Sequence, residues 1–179
     1  MAATVKIYRH HGETPTKTEV NDINTRLMAE DSHSTAGTTN PIRVPDTGSN
    51  YSYWATFRLN VTANAETNTI NNMKWYTDGS NDLGTGIEME VAKASAYGQA
   101  VGTEGTSGSA LSNHAHLITS VTGAFNYASG SPLDIDTTST GTGSTGEIGD
   151  FVVVQMKVGT TAGAGASTQE TITFQYDES

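Results

Sequence analysis

One pair of histidines has a spacing that suits metal binding. His114 and His116 end the stretch Gly-Ser-Ala-Leu-Ser-Asn-His-Ala-His, which matches half of a metal motif built from two histidines and a glutamate. On a β-strand both side chains would project to one side and could share a metal ion. The complete motif needs its glutamate four or five residues later, where Ser120 and Val121 stand. The pair therefore predicts either another transition-metal site, such as six nitrogens around a threefold axis, or two solvated histidines beside a polar loop.

An acidic loop offers a second place for a cation. The segment from Asp78 to Asp82 is Asp-Gly-Ser-Asn-Asp and resembles a calcium loop in its spaced oxygen ligands. An EF-hand loop needs glycine at its sixth position and glutamate at its twelfth, where Leu83 and Met89 stand. Calcium binding by Asp78 and Asp82 and a plain turn between strands both remain open, because turns favour the same residue types. Another loop is bracketed by Asp134, Asp136, Glu147 and Asp150.

The sequence holds no complete catalytic constellation. It has no cysteine, no Gly-x-Ser-x-Gly elbow, no phosphate-binding loop and no dinucleotide fingerprint. Each candidate site also lacks one chemically necessary member. We therefore expect no enzymatic activity, no catalytic residue, and no cofactor other than Ca²⁺ or a histidine-bound transition metal.

Charge is distributed unevenly along the 179 residues. The net charge is −10, with nine Lys and Arg against 19 Asp and Glu, and so few basic residues exclude a general nucleic-acid binder. Residues 1–45 are neutral overall, so the whole net charge lies on residues 46–179. This asymmetry favours an N-terminal arm or contact segment over 1–45, removable without unfolding the body over 46–179. The predicted partner contacts are Lys6, Arg9, Arg26, Arg43 and Trp54.

Alternation of apolar and polar residues with a period of two dominates the body. The predicted strands cover 51–62, 73–76, 87–92, 151–158 and 171–176, with weaker candidates at 117–122 and 124–128. The run 151–158 is apolar on both faces, which indicates a central strand. We expect an all-β protein, an antiparallel β-sandwich of immunoglobulin-like or jelly-roll kind. The residues predicted to be buried are Phe57, Leu59, Trp75, Val153 and Phe174.

The arm and the loops differ from the body in composition. In the arm, a capping box from Thr16 to Glu19 predicts a short helix over 17–29. Three long connectors, 97–113, 129–149 and 159–169, are rich in Gly, Ser and Thr. Loops of this length in a compact domain are usually functional or disordered. Because they show no apolar anchor, we expect neighbouring subunits to order them, and we predict a homo-oligomer.

Several stretches resemble structural proteins of tailed phages and related viruses. They are Val-Lys-Ile-Tyr-Arg near the start, Ser49 to Trp54, Ile70 to Gly79, Gly149 to Val158 and Glu170 to Glu178. The resemblance lies in strand and turn patterns and covers most of the chain. It implies a capsid decoration (cement) protein, or otherwise a neck or tail protein of the virion. It also implies a homotrimer, because decoration proteins occupy threefold positions on the shell.

The resemblance also implies partners and a location. The partners would be the major capsid protein or other virion subunits, with neither nucleic acid nor membrane, and the location would be the virion, with the host cytoplasm during assembly. The start of the chain lacks the apolar run of a secretory signal. A carbohydrate-binding module is the competing class, since such modules share the fold type and use aromatic platforms. Trp54 beside Arg58, on the polar face of its strand, invites that interpretation, although packing under a second layer explains Trp54 equally well.

Overall fold

The computed structural model describes residues 2–64, 66–136 and 143–179, and these ranges form two antiparallel sheets, a small hairpin and two short helical turns. The strands are β1 (Thr4–His11), β2 (Thr16–Glu19), β3 (Ser49–Tyr51), β4 (Ala55–Ala63), β5 (Ile70–Tyr76), β6 (Ile87–Ala94), β7 (Gly102–Thr103), β8 (Ser107–Gly108), β9 (Thr122–Gly123), β10 (Leu133–Asp134), β11 (Gly146–Gly159) and β12 (Thr173–Glu178). The 3-10 turns are Leu111–Asn113 and Ala124–Asn126. The described ranges contain no helix with the length and apolar character needed to cross a membrane.

The larger sheet is built around β11. Its strand order is β2-β1-β4-β11-β6-β9, and β3 also pairs with β11. Val152 of β11 lies opposite Phe57 of β4 on one side and opposite Lys93 of β6 on the other. The predicted central position of this strand is confirmed. Its apolar residues can point in both directions because both faces of the sheet are covered.

The smaller sheet covers one face of the larger one. Its order is β10-β5-β12, and Met73 and Trp75 of β5 pack against Phe57, Leu59 and Val152 of the larger sheet in one hydrophobic core. This arrangement confirms an all-β fold with antiparallel sheets, consistent with the predicted sandwich. The predicted burial is confirmed for Phe57, Leu59, Trp75 and Val153, and Phe174 is partly buried against the same core.

The chain's own loops cover the opposite face of the larger sheet. A second core there contains Trp54, Leu111, Phe151 and Val153. At its centre, fully buried Gln155 accepts a hydrogen bond from the Leu111 backbone N–H (2.6 Å). Its side-chain amide donates to the backbone carbonyls of Ser52 (2.7 Å) and Ser109 (2.8 Å). The connector 97–113 is therefore ordered within one subunit, which corrects the expectation that it needs a neighbour.

The first 45 residues take part in the larger sheet. β1 pairs with β4 from Thr4 opposite Ala63 to His10 opposite Thr56. The predicted helix over 17–29 is wrong, because its first residues form β2, which pairs with β1. β-Branched Thr16 and Thr18 suit this strand, and Glu19 accepts a hydrogen bond from Lys6 at 2.7 Å instead of capping a helix. The predicted contact role of residues 1–45 stays a prediction.

Candidate functional site

The histidine pair does not lie on a strand, which corrects the placement predicted for it, and metal binding by the pair stays a prediction. His114 and His116 follow the 3-10 turn Leu111–Asn113 and do not lie on a strand. His114 is buried, packs edge-on against Trp54 with ring centroids 5.2 Å apart, and accepts a hydrogen bond at Nδ1 from the His116 backbone N–H (3.2 Å). Burial, and then the neighbouring His116, lower the pKa of His114. Within the described ranges, no group of three or more His, Asp or Glu could hold a metal.

The predicted calcium loop forms turns. The Asp78 carboxylate accepts from the Ser80 backbone N–H at 2.9 Å, and the Asn81 side chain accepts from the Leu83 N–H at 3.2 Å. Such Asx turns form from these residue types without a cation. The Asp82 backbone N–H in turn donates to Glu170 Oε1 at 2.7 Å. The turn interpretation accounts for this segment.

The carboxylates of the second acidic loop also make contacts within the chain. Asp134 pairs with Lys74 at 2.8 Å and also accepts from the Asp136 backbone N–H at 2.9 Å. The hydrogen bond from Lys74 is the largest cause that lowers the pKa of Asp134. Asp136 accepts from the Asn72 backbone N–H at 2.7 Å. These two carboxylates hold β10 and the residues after it against β5.

Glu147 lies at the centre of a cluster of basic groups that fastens the β1–β2 hairpin to the sheet. Its carboxylate pairs with Arg58 (3.1 Å), with His10 (3.3 Å) and with Lys17. Although burial opposes ionisation, the hydrogen bond from Lys17 and the charges of His10 and Arg58 hold the pKa of Glu147 below its usual value. Burial lowers the pKa of His10, against the attraction of Glu147. The guanidinium of Arg58 also lies 4.4 Å above the ring of Phe151.

The predicted partner contacts divide into buried and surface groups. Arg9 and Trp54 are buried, so the surface contact expected of them is corrected. Arg9 donates to the Thr25 hydroxyl (2.8 Å) and the Arg26 carbonyl (2.9 Å), and burial lowers its pKa to about 10. Trp54 donates from its indole N–H to the Gly98 carbonyl at 2.9 Å, so the packing interpretation holds for it.

The remaining predicted contacts are at the surface. Lys6 pairs with Glu19, and the side chains of Arg26 and Arg43 donate to the carbonyls of Thr39 (3.1 Å) and Gly105 (3.1 Å). Arg43 is exposed and Arg26 is half-buried. These three remain open to a partner.

The structure also forms an acidic cleft that no sequence motif predicted. This cleft of about 370 Å³ is lined by Glu30, Asp31, Tyr53, Glu104 and residues 99–102. Asn40 donates from one nitrogen to both Glu30 Oε2 and Glu104 Oε1, at 2.7 Å each. The two carboxylates therefore lie within about 5.5 Å of each other, where like charges raise the local negative potential. This acidic cleft is the candidate functional site.

Two loops hold the carboxylates of the acidic cleft in place. Glu104 is at the tip of the β7–β8 hairpin, where Gly105 takes φ +66° and donates from its backbone N–H to the Ala29 carbonyl at 2.9 Å. A side chain at Gly105 would be strained and would meet Asn40 Oδ1 at 3.3 Å. Asp31 accepts from the Gly12 backbone N–H at 2.9 Å. Burial is the main cause that raises the pKa of Asp31.

Tyr53 forms one wall of the acidic cleft. Its side chain is 8% exposed, and solvent reaches its hydroxyl, which is not one of the buried polar atoms that lack a partner. Burial, followed by the charges of Glu104, Asp31 and Glu30, raises the pKa of this hydroxyl. The acidic cleft therefore combines an aromatic ring with three carboxylates. Sequence analysis missed it because Asn40 and Glu104 are 64 residues apart and belong to no motif.

Comparison of the chain with protein-family models, with curated proteins and with solved structures finds no match in any of the three.

Proposed function

We propose that this chain is a structural subunit of a virus particle, a decoration protein that binds the major capsid protein on an assembled shell. The observation that carries the proposal is that the chain's own residues cover both faces of the larger sheet, through the cores around Trp75 and Trp54. A subunit added to a finished shell must be folded and rigid before it binds, because ordering loops on binding would reduce its affinity. The Gln155 contacts supply that rigidity in the connector 97–113.

The edges of the sheets support the same proposal. In the larger sheet the edge strands are short, four residues in β2 and two in β9. In the smaller sheet β10 has two residues, and β12 ends in Asp177 and Glu178. Short or charged edges prevent strand pairing between crowded copies of a protein. The net charge of −10 adds mutual repulsion between such copies.

Counting copies in purified particles tests this proposal. Quantitative mass spectrometry of virions from the source of the sequence should detect the chain at a number comparable with that of the major capsid protein. A few copies per particle would favour the neck or tail alternative, and absence from purified virions would overturn the proposal.

A rebinding experiment locates the contact. Particles stripped of the chain are mixed with purified protein and sedimented. Arg43→Gln, which removes an exposed charge, is expected to lower the bound fraction. Lys157→Gln is the matched control, since its charge lies on β11 and is engaged by Glu88 at 2.9 Å. If both variants bind as well as the unmodified chain, Arg43 does not take part in the contact with the shell. Burial of Trp54, the aromatic platform expected of a carbohydrate-binding module, disfavours that alternative.

A further inference from the structure

We propose that residues 30–40, the flap, open from the end of the β1–β2 hairpin in mild acid, when the facing histidines His11 and His33 both gain a proton. The flap is then a pH-sensitive element built into the fold. The proposal does not depend on the structural role given above, because the same contacts exist whether or not the chain belongs to a virus particle. It rests on three features: the facing histidines, a buried guanidinium beside them, and the polar attachment of the flap.

The first feature is the pair of histidines that fastens the flap to the hairpin. His11 is the last residue of β1 and His33 lies in the flap, and their rings face each other with centroids 6.4 Å apart and planes 30° from parallel. His11 Nε2 lies 3.0 Å from the Thr18 hydroxyl of β2, and His33 Nδ1 lies 3.5 Å from the Thr25 hydroxyl. The two neutral rings can stack, but two imidazolium ions at this distance repel each other.

The second feature is the buried guanidinium of Arg9, which places a third positive charge in the same cluster. Arg9 is 1% exposed and donates to the Thr25 hydroxyl at 2.8 Å, the same hydroxyl that His33 approaches. Among the described residues, no carboxylate oxygen lies within 4 Å of Arg9 or of either histidine. Asp31 acts on Arg9 and His11 only through its field. After protonation, one negative charge would therefore face three positive charges.

The surroundings of the two histidines already oppose a proton while the flap is closed. Burial, followed by the charge of Arg9, lowers the pKa of His11, against the attraction of Asp31. Burial, followed by the charges of Arg9 and His11, lowers the pKa of His33. The closed form therefore binds fewer protons than the open form as pH falls below about 6.5, so acid favours opening. Burial raises the pKa of Asp31, so protonation of that carboxyl favours the closed form and works in the opposite direction.

A third histidine shows the contrast. His10 precedes His11 and points to the opposite face of β1, where its Nε2 lies 3.3 Å from the Glu147 carboxylate. The charges of Lys17 and Arg58 also act on His10. A proton on His10 thus has a direct carboxylate partner and concerns the attachment of the hairpin to the sheet. The two histidines at the flap have no such partner.

The third feature is the way in which the flap is attached. None of its residues is buried, and residues 35–39 are exposed. It is held by hydrogen bonds, which include those from the backbone N–H groups of Gly12 to Asp31, of Arg26 to Ser34 and of Ala29 to Asn40, at 2.9 Å each. A segment attached in this way can open without disturbing the hydrophobic cores. Opening would also take Asn40 away from Glu104 and so remove one wall of the acidic cleft.

Hydrogen exchange at two pH values measures the opening of the flap. The full chain, labelled with ¹⁵N, is compared at pH 7.5 and pH 5.5, and each exchange rate is divided by the intrinsic rate of its amide. Each histidine can favour the open form by at most roughly tenfold at pH 5.5, given an ordinary pKa of about 6.5. The Arg26 and Ala29 amides, which bond to the flap, should lose about tenfold in protection. This loss should not depend on low concentrations of urea, because local opening exposes little surface.

Matched variants assign the effect to the facing histidines. The double variant His11→Gln with His33→Gln keeps polar side chains but removes both titrating groups, so the Arg26 and Ala29 amides should keep their protection to within about twofold. His33→Gln alone should retain about a threefold loss. His116→Gln is the control, because His116 is an exposed histidine outside the flap and the hairpin, and this variant should respond as the unmodified chain does.

Three results would overturn the proposal. Unchanged protection of the Arg26 and Ala29 amides at pH 5.5 would show that acid does not open the flap. An equal loss of protection in the double variant would place the titrating group elsewhere. A loss that grows steeply with urea would show that the whole domain unfolds and that the flap does not open by itself. None of these measurements involves virus particles, so their failure is distinguishable from failure of the proposed structural role.

Discussion

Replacement of Gln155 by leucine tests whether buried polar contacts order the loop layer. Gln155 is fully buried on β11, and its three hydrogen bonds reach the Leu111 N–H and the carbonyls of Ser52 and Ser109. Leucine has a similar volume and no polar atom. The variant would therefore leave three backbone groups without their partner while filling nearly the same space.

The expected loss follows from those three groups. A buried backbone group that loses its partner costs about 1–3 kcal/mol. The Ser109 carbonyl lies in a partly buried contact and can recover a water, so we expect a total of roughly 3–6 kcal/mol rather than the full sum of three such losses. For a domain of this length, that loss lowers Tm by about 6–24 °C, at about 2–4 °C for each kcal/mol. It is also a large fraction of the roughly 5–15 kcal/mol by which such domains are stable.

Urea unfolding and hydrogen exchange measure this effect. The Gln155→Leu variant should unfold at lower urea concentration, and its Leu111 amide should exchange much faster than in the unmodified chain. Gln175→Leu is the matched control, because Gln175 is exposed on β12, and it should change stability by less than about 0.5 kcal/mol. A Gln155→Leu variant with unchanged midpoint and a protected Leu111 amide would refute the argument that this side chain holds the connector.

Four further predictions concern the sheet and the assembly. The free energy of unfolding should fall as pH drops below about 6.5 and again through the acid range, because folding lowers the pKa of both His10 and Glu147, so that the unfolded chain binds more protons there. In the Glu147→Gln variant, the urea midpoint should decline less in the acid range. A decline identical to that of the unmodified chain would contradict this prediction. The Gly149→Ala variant should lose about 2 kcal/mol in free energy of unfolding and roughly 5 °C in Tm, because residue 149 has φ +69° and the added methyl would lie 2.9 Å from the Ile135 carbonyl. The control Gly130→Ala has open space around the added methyl and should keep its stability. Deletion of residues 1–40 should give a protein that sediments as insoluble material, because the deletion removes β1, the strand paired with β4. A soluble, folded product would show instead that these residues form a removable arm. For the predicted homotrimer, light scattering should give a mass of three times 18.8 kDa. A monomeric mass at all protein concentrations would contradict the prediction.

The strands were predictable where local pattern and tertiary environment agree. Between Tyr53 and Val61 every second residue is apolar, and all of those side chains are buried. Residues 151–158 are apolar on both faces, which only a covered central strand allows, and β11 is that strand. Burial alternates with the same period of two only from Phe57 to Val61, since Trp54 and Thr56 are also buried under the second covered face.

The helix over 17–29 failed because local and non-local preferences compete there. Thr16 and Glu19 have the spacing of a capping box, but the same residues can pair with the edge of β1. Strand pairing satisfies the backbone groups of Thr18 opposite Arg9 and brings Lys17 to Glu147. Glu147 is 130 residues further along the chain, and no window of sequence around the capping box contains that contact. Tertiary contacts of this kind routinely override weak helix propensity.

The loop layer shows why polar composition is a poor guide to whether a connector is ordered. A Gly-, Ser- and Thr-rich composition predicts a segment without an anchor, yet Ala100 and Leu111 of the connector 97–113 are buried in the second core. In the structure the anchor of the connector 97–113 includes Gln155, a polar residue on another strand, which binds backbone groups that every sequence possesses. Backbone donors and acceptors cannot be read from residue types, and a buried glutamine within a run of valines looks like an interruption of the pattern. The acidic cleft depends on the same layer, because the β7–β8 hairpin that carries Glu104 is part of this connector. Weakening the Gln155 contacts should therefore disturb the walls of the acidic cleft as well as lower the free energy of unfolding.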